Sequence, residues 1–290
     1  MKIKRSSLSL VEIGITTKNR WDDLRKALIK LAAFRLGNTR ILIFDDGSDR
    51  ACPFEVASIC AGAKLKRFTE SKGLIVRRNQ LAREMRSKYY FSLDDDSYPA
   101  AGSLEKAIKF AEAREDLLCL TFPVYNPINA WHQVKSLGAE PYRVKTFIGC
   151  GHLMHRERFL KLGGYCEELV HFGEEQELAT RAFQCGLRCY HFPELKIHHL
   201  QSEAGRDWKN MDYYGARNNV LINDWFMPRG LRLVKQGRTL VSRSLLLIRT
   251  RRLAHLQGQI AGIGDLRKYR SKRRLMSFKL YEQWRSLPLC

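Results

Sequence analysis

Three consecutive acids, Asp94-Asp95-Asp96, close the apolar run Tyr89-Tyr90-Phe91-Ser92-Leu93. Like charges this close repel, so a fold keeps such a cluster mainly where a cation neutralises it; the plain alternative is a solvated turn. Two further apolar runs also end in polar groups. Ile41-Leu42-Ile43-Phe44 leads into Asp45-Asp46-Gly47-Ser48, and Val11-Glu12-Ile13-Gly14-Ile15 into Thr16-Thr17-Lys18-Asn19-Arg20. In open α/β sheets a ligand lies beyond the carboxyl ends of the strands. Three such ends mark one site, with side chains suited to a cation and a polyanion. Glu174 and Glu175 open a later helical stretch, where the macrodipole favours carboxylates whatever their function. An unperturbed glutamate, with a pKa of about 4.3, is ionised at neutral pH and can act as a general base.

The elements that must carry these groups alternate strand and helix. Strands are expected at 10–16, 40–45, 64–69, 89–94 and 117–122, with helices from Asp22, over 52–61, 74–87 and 103–113 between them. Continuous apolar strands signal a sheet covered on both faces, here a mostly parallel, doubly wound α/β sheet. From 123 to 173, Pro, Gly and aromatic residues break the rhythm and irregular strands and loops are expected. Helices resume at Glu174 and over 208–226, and Pro228-Arg229-Gly230 suggests a boundary between a domain at 1–228 and an extension at 229–290.

The charge supports that division. The chain has 290 residues and a formal net charge of +21. Residues 229–290 hold 16 Lys/Arg against two acids, Asp265 and Glu282. Within 266–287, Met276, Leu280, Trp284 and Leu287 fall on one face of a single expected helix, the pattern of a basic helix lying in a membrane interface. Packing of that face on the domain is the alternative. No run approaches the ~18 apolar residues of a membrane span, the longest in the tail being Leu245-Leu246-Leu247-Ile248. The start, Met1-Lys2-Ile3-Lys4-Arg5, has no apolar signal core, and eight scattered cysteines without a C-x-x-C suit a reducing compartment. The expected location is the cytoplasm, peripheral on the inner membrane face.

Residues from about 9 to 225 resemble the family 2 inverting glycosyltransferases of the GT-A fold. The resemblance rests on Thr16-x-x-Asn19-Arg20, Asp45-Asp46-Gly47-Ser48, Gly73 with Arg78-Asn79, Asp94-x-Asp96 with Pro99, Gly163-Gly164-Tyr165, Glu174-Glu175-x-Glu177-Leu178 with Arg181, His198-His199, and Arg217-Asn218. It implies transfer of a sugar from a nucleotide-diphosphate donor to a glycan or lipid-linked acceptor, with Mn²⁺ or Mg²⁺. By that resemblance, Asp94, Asp96 and one of His198 or His199 hold the cation. Thr16, Asn19, Arg20, Asp46, Arg78 and Asp94 contact the donor, Asp46 at the nucleobase edge. Glu175 serves as base, with Glu174 as acceptor contact or substitute. Asp95 is expected to point away, as a structural acceptor. Lys18 stands where relatives often carry an aromatic residue against the base. Trp131, His132 and Tyr142 are candidates for the acceptor pocket, and Arg217-Asn218 has no assigned role.

Two other readings compete. A nucleotidyltransferase also places Asp pairs and Mg²⁺ at a sheet edge, but Thr16–Arg20 lacks the glycines of its phosphate loop. A nucleic-acid-binding protein would use the basic tail, yet acid-rich strand ends repel phosphates. No nucleic-acid partner is expected.

Overall fold

The computed structural model describes residues 7–34, 36–37, 39–203, 207–232, 234, 237 and 253–290. The expected alternation gives β1 (Val11–Thr17), α1 (Trp21–Ala33), β2 (Ile41–Asp45), α2 (Val56–Ile59), β3 (Ala63–Arg67), α3 (Leu74–Glu84) and β4 (Tyr89–Asp94). All of β1 and β2 is buried, as two-sided burial requires of continuous apolar strands. The helix expected over 52–61 shrinks to α2, because Pro53 biases the residue before it away from helical angles. β1 lies between β2 and β4, parallel to both. Thr16 pairs in register with Phe44 and Asp94, and Thr17 with Asp45. The three polar strand ends therefore meet in one row.

Next come β5 (Ser97–Ala101), α4 (Leu104–Glu112), β6 (Leu117–Thr121), β7 (Val124–Asn126), β8 (Trp131–Val134), β9 (Tyr142–Val144), β10 (His152–His155), α5 (Arg156–Lys161), α6 (Glu174–Gln184), β11 (Arg188–His191) and β12 (Lys196–His199). The main sheet runs β3-β2-β1-β4-β10-β6-β11-β9, with β5-β12-β7-β8 as a second sheet. β10 is antiparallel to both neighbours and β9 to β11, so the main sheet is mostly parallel. β10 was hidden in the sequence by the polar ends of His152-Leu153-Met154-His155, although all four residues are buried.

Period-two alternation divides the core between the sheet's faces. Tyr89, Phe91 and Leu93 pack with Leu24, Leu28 and Phe122, while Tyr90 packs with Phe159, Leu178 and Trp225. Phe91→Ala would cost about 3–5 kcal/mol at such a site.

Asp207 caps α7 (Trp208–Phe226), its Oδ1 accepting the N–H groups of Lys209 and Asn210 at 3.1 and 3.0 Å. Two glycines let α8 (Leu253–Asp265) pack closely on α7. A Cβ at Gly258 would strike the Tyr213 carbonyl, and one at Gly262 would lie 2.8 Å from the Arg217 oxygen. The single helix expected over 266–287 is not formed. A 3-10 turn at Arg270–Lys272 precedes α9 (Phe278–Ser286). Backbone pairing explains the interruption: the N–H groups of Arg274 and Met276 donate to the carbonyls of Trp225 and Phe226 at 2.7 and 2.9 Å. Met276 and Tyr281 are buried against the domain, with Leu280 and Trp284 packed beside them. Arg273 pairs with Asp224 at 2.6 Å and Lys272 with Glu168 at 2.7 Å. The apolar face assigned to a membrane thus packs on protein. Leu245–Ile248 lies outside the described residues. Among the described residues no helix is long and apolar enough to cross a membrane.

Candidate active site

Asp94 ends β4, and its Oδ1 accepts Arg78 Nη2 at 2.6 Å. Arg78, buried on α3, also places Nη1 3.6 Å from Glu174 Oε1 and 3.5 Å from Glu175 Oε1. One guanidinium thereby gathers carboxylates from β4 and from the start of α6. Gly149 makes room for the meeting, since a Cβ there would collide with Glu175 Oε1 and Arg78 Nη1. Burial, then the charge of Glu174, pushes Glu175 up to about 8 against the pull of Arg78. Its charged form is therefore less favoured here than in the ordinary glutamate the sequence suggests. Glu174 Oε2 is buried without a hydrogen-bond partner.

Asp96 lies beside this cluster. Its Oδ2 accepts Arg20 Nη2 at 2.6 Å and the Ser202 N–H at 3.0 Å. Its Oδ1 is buried without a hydrogen bond of good geometry and faces His199 Nε2 at 3.2 Å. Burial pushes the Asp96 carboxyl up, but His199 and Arg20 outweigh it and hold the group well below the usual carboxylate range. Across the ring, His199 Nδ1 lies 2.8 Å from Gln133 Oε1. An amide oxygen only accepts, so Nδ1 donates to it, while Nε2 on the other side of the ring faces Asp96 Oδ1. Once Nε2 is free of a proton, this carboxylate oxygen and imidazole nitrogen, 3.2 Å apart, form a donor set suited to a divalent cation. Asp94, Cys150 and His199 also hold ligand atoms within 4.8 Å of one another.

Thr16 is positioned as the sequence suggests, with its buried Oγ1 lacking a partner next to Asp94. Asp95 points away, accepting Thr17 Oγ1 at 2.8 Å. Other expected donor contacts are occupied by the protein itself. Arg20 pairs with Asp95 and Asp96 and with Asp23, so it braces the acidic triplet. Asn19 exchanges hydrogen bonds with Asp49 and donates its N–H to Ser48 Oγ, joining two loops. Asp46 accepts from Ser71 Oγ, the Lys72 and Gly73 N–H groups and Arg77 Nε, at 2.6–2.8 Å. Four donors saturate a carboxylate; Asp46 folds the 71–73 loop and has no acceptor site left for a nucleobase edge. Burial raises its pKa, but these donors pull it below the ordinary value.

The histidine pair separates by strand alternation. His199 faces Asp96, whereas His198 faces the opposite side of the small sheet, against the rings of Tyr98 and Tyr125. His132 lies tilted against Tyr125 there, in a cavity of about 490 Å³ with Lys135 and Lys196. Trp131 is half exposed, and Tyr142 stacks on His191. A second cavity, about 660 Å³, lies away from the carboxylates between Gly163–Glu168, α6 and Lys272. Several of its charges are internally paired, Arg181 with Glu177 and Lys272 with Glu168. Neither cavity is lined by Asp94, Asp96, Glu174 or Glu175, and the buried polar atoms without hydrogen-bond partners, Thr16 Oγ1, Asp96 Oδ1 and Glu174 Oε2, argue for the carboxylate cluster as the place of chemistry.

Gln133, Cys150 and Gly149 were missed in the sequence because their region has no clear period. Arg217-Asn218 gains a role. Arg217 binds Asp265 and the Glu168 carbonyl, and Asn218 Nδ2 reaches the carbonyls of Leu169, His171 and Phe172. Together they hold the loop that delivers Glu174 and Glu175.

Comparison with known proteins agrees with this arrangement. The pattern described as "N-terminal domain of galactosyltransferase" matches residues 132–203. The pre-mycofactocin glycosyltransferase of Mycobacterium tuberculosis is 25% identical over 224 residues, covering 71% of this chain and 46% of that protein. The chain thus spans about half the length of the curated relatives it matches. Its fold is similar to GalNAc-T7 solved with UDP, GalNAc and Mn²⁺ (TM-score 0.55, 19% identity, 72% of this chain and 50% of the other). It is also similar to the mannosyltransferase PcManGT of Pyrobaculum calidifontis with GDP-Man and Mn²⁺ (0.56, 13%, 96% and 79%). S. aureus TarS 1-349 with UDP-GlcNAc gives 0.56 at 15% identity, covering 73% and 66%. These likenesses identify the GT-A fold, and with the pattern of glycosyl transferase family 2 matching residues 12–162, just over half of its length, the chain belongs to that family.

Proposed function

We propose that the protein is a metal-dependent inverting glycosyltransferase, moving a sugar from a nucleotide-diphosphate sugar to a hydroxyl of a glycan or lipid-linked acceptor. The observation that carries this reading is Arg78, which joins Asp94 of the D-x-D motif to Glu174 and Glu175 at the start of α6. Donor-type and base-type carboxylates so lie within reach of one another. Asp96 and His199 Nε2, with Asp94, would hold the cation, and the buried unpaired Asp96 Oδ1 fits that task. A bound Mn²⁺ or Mg²⁺ supplies Lewis-acid stabilisation of the departing diphosphate. Arg78 adds positive charge on the same side, and Thr16 offers its free hydroxyl to the nucleoside.

Glu175 acts as base. Its pKa of about 8 matches proton transfer near neutral pH, where base strength and the ionised fraction balance. The acceptor oxygen attacks the anomeric carbon as Glu175 takes its proton, and the C–O bond to the diphosphate breaks with its electrons on the leaving oxygen. Glu174 orients Arg78 or the acceptor. The relatives that contain UDP, GDP-Man or UDP-GlcNAc support a nucleotide-sugar donor and leave its identity to experiment.

The acceptor's setting follows from the surface. On α8, Leu253, Ile260 and Ile263 are exposed along one face, with Arg267 and Lys268 exposed beyond its end. Among the described residues of the 229–290 extension, this face, rather than the packed α9, is suited to an anionic membrane surface. Such docking would place the enzyme peripherally on the cytoplasmic side. Calorimetric titration of UDP-, GDP- and dTDP-sugars with and without Mn²⁺ tests the central reading. Binding of one donor only with cation supports it, and equal affinity in chelator rejects it. Salt-sensitive sedimentation with anionic vesicles tests the membrane part.

A further inference from the structure

The same cleft contains a donor set for a different kind of cation. Cys150 Sγ lies 3.2 Å from His199 Nδ1, and the ligand atoms of Asp94, Cys150 and His199 fall within 4.8 Å of one another. A tetrahedral zinc site with bonds of about 2.0–2.3 Å has ligand–ligand edges of about 3.3–3.7 Å, so small side-chain shifts would close this triangle on a metal. Cys150 and His199 are buried, while Asp94 is partly exposed and gives access from solvent. Three protein ligands with one position open to water or substrate is the composition of many zinc sites.

We propose that Asp94, Cys150 and His199 form a binding site for a thiophilic divalent cation, Zn²⁺ or Cd²⁺, distinct from the oxygen-rich pairing of Asp96 with His199 Nε2. Thiolate selects soft metals, whereas carboxylate and water suit Mn²⁺ and Mg²⁺. As the metal–sulfur bond forms, the thiol proton and the Nδ1 proton leave to solvent, the ring keeping a proton on Nε2 toward Asp96 Oδ1, and His199 turns the freed Nδ1 lone pair from Gln133 to the metal. Asp94 is then withdrawn from the donor side of the cleft, so a soft cation acts as an inhibitor. Sulfur coordination rests on this triangle alone and can be read without any sugar transfer; the inhibitory consequence alone rests on the transferase reading.

The test is Cd²⁺ titration of the full-length protein, followed by the ultraviolet thiolate-to-cadmium charge-transfer band. The background carries Cys185→Ser, which removes the exposed thiol. One equivalent of Cd²⁺ should produce the band. Cys150→Ser and Cys150→Ala should both abolish it, and Asp94→Asn should weaken binding at least ~10-fold, the low end of what altering even an outer partner costs. Circular dichroism confirms folding of each variant. No band at one equivalent, or a band that survives in both folded Cys150 variants, overturns the proposal. Equal Mn²⁺ affinity with and without the Cys150 thiol would support the separation of the two binding modes, and a parallel loss would overturn it. Failure of donor binding with the cadmium band intact would count against the transferase reading and leave this site standing.

Discussion

Arg78 Nη2 and Asp94 Oδ1 meet at 2.6 Å, one from the interior of α3 and the other from the last residue of β4. The contact fixes the acidic strand end against the guanidinium that also approaches Glu174 and Glu175. Arg78 is buried and its Nε has no partner, so the surrounding carboxylates provide its compensation. A buried charge cluster of this kind is sensitive to loss of any member.

Arg78→Met should therefore weaken both the fold and the donor site. Removing one partner of a buried ion pair costs about 3–5 kcal/mol, readable by urea unfolding. Arg78→Lys should retain part of the stability but not donor affinity, because an ammonium cannot replace the planar fork that reaches several carboxylates. Wild-type donor affinity in a folded Arg78→Lys protein would show that the arginine is only structural.

Glu175 gives the reaction a pH signature. A base must be unprotonated, and burial together with Glu174 raises this group to about 8. Turnover should rise with pH and level off above about 8. Glu175→Gln should reduce kcat by about 10²–10⁴-fold and remove that limb, with donor affinity little changed. An active Glu175→Gln enzyme alongside a crippled Glu174→Gln enzyme would move the base by one residue.

Much of this site was legible because strands of continuous apolar residues announce both their burial and their ends. Val11–Ile15, Ile41–Phe44 and Tyr89–Leu93 placed Thr16, Asp46 and Asp94–Asp96 in one row. What the pattern does not convey is how side chains at such an end are shared. Arg20, Asn19 and Asp46 read as ligand contacts, yet long-range partners occupy them: Asp95 and Asp96, Asp49, and Arg77 with the 71–73 backbone. Gln133, Gly149 and Cys150 come from a stretch with no strong period. Only the tertiary fold brings them to His199 and Glu175.

Cation binding should depend on the Asp96–His199 pair. Asp96→Asn replaces half of a carboxylate with an amide that donates, while retaining the volume near Arg20. Mn²⁺ affinity, measured by electron paramagnetic resonance of the free ion, should fall by at least ~10-fold. His199→Ala should do the same and His198→Ala should not, because His198 lies on the other face of its strand. Equal loss from both histidine variants would contradict the assignment.

A structural carboxylate at the other end of β1 predicts acid sensitivity. Glu12 accepts the N–H groups of Arg86 and Ser87 and pairs with Arg40 at 2.8 Å. Burial raises its pKa, but these partners bring the net value below that of a free glutamate. A depressed folded pKa contributes stability above the unfolded value of about 4.3, and that contribution is lost as pH falls through the folded value. Glu12→Gln should cost about 1.5–3 kcal/mol at pH 7. In denaturant melts the difference should shrink below about pH 4, and a constant difference down to pH 2 would refute the ionic account.

Asn218 offers the clearest separation of positioning from chemistry. Its Nδ2 reaches three carbonyls, those of Leu169, His171 and Phe172, at 2.7–2.8 Å. Val170 and Phe172 hold left-handed backbone angles, φ 63° and 67°, a conformation that costs a non-glycine residue about 1–3 kcal/mol and needs support from its surroundings. Asn218→Ala removes that support just before Glu174, so the loop should relax and carry α6's first turn with it. Cation affinity should be unaffected because Asp96 and His199 lie on other elements. The expected outcome is a fall in kcat of about 10-fold or more, since small misplacement of a base is costly, with Mn²⁺ affinity unchanged and the limb near pH 8 displaced. Hydrogen exchange should rise over 169–173 and remain as in the parent at β4. Unchanged kcat with raised exchange would mean that the loop's conformation does not position the base, and the clamp would then be structural alone.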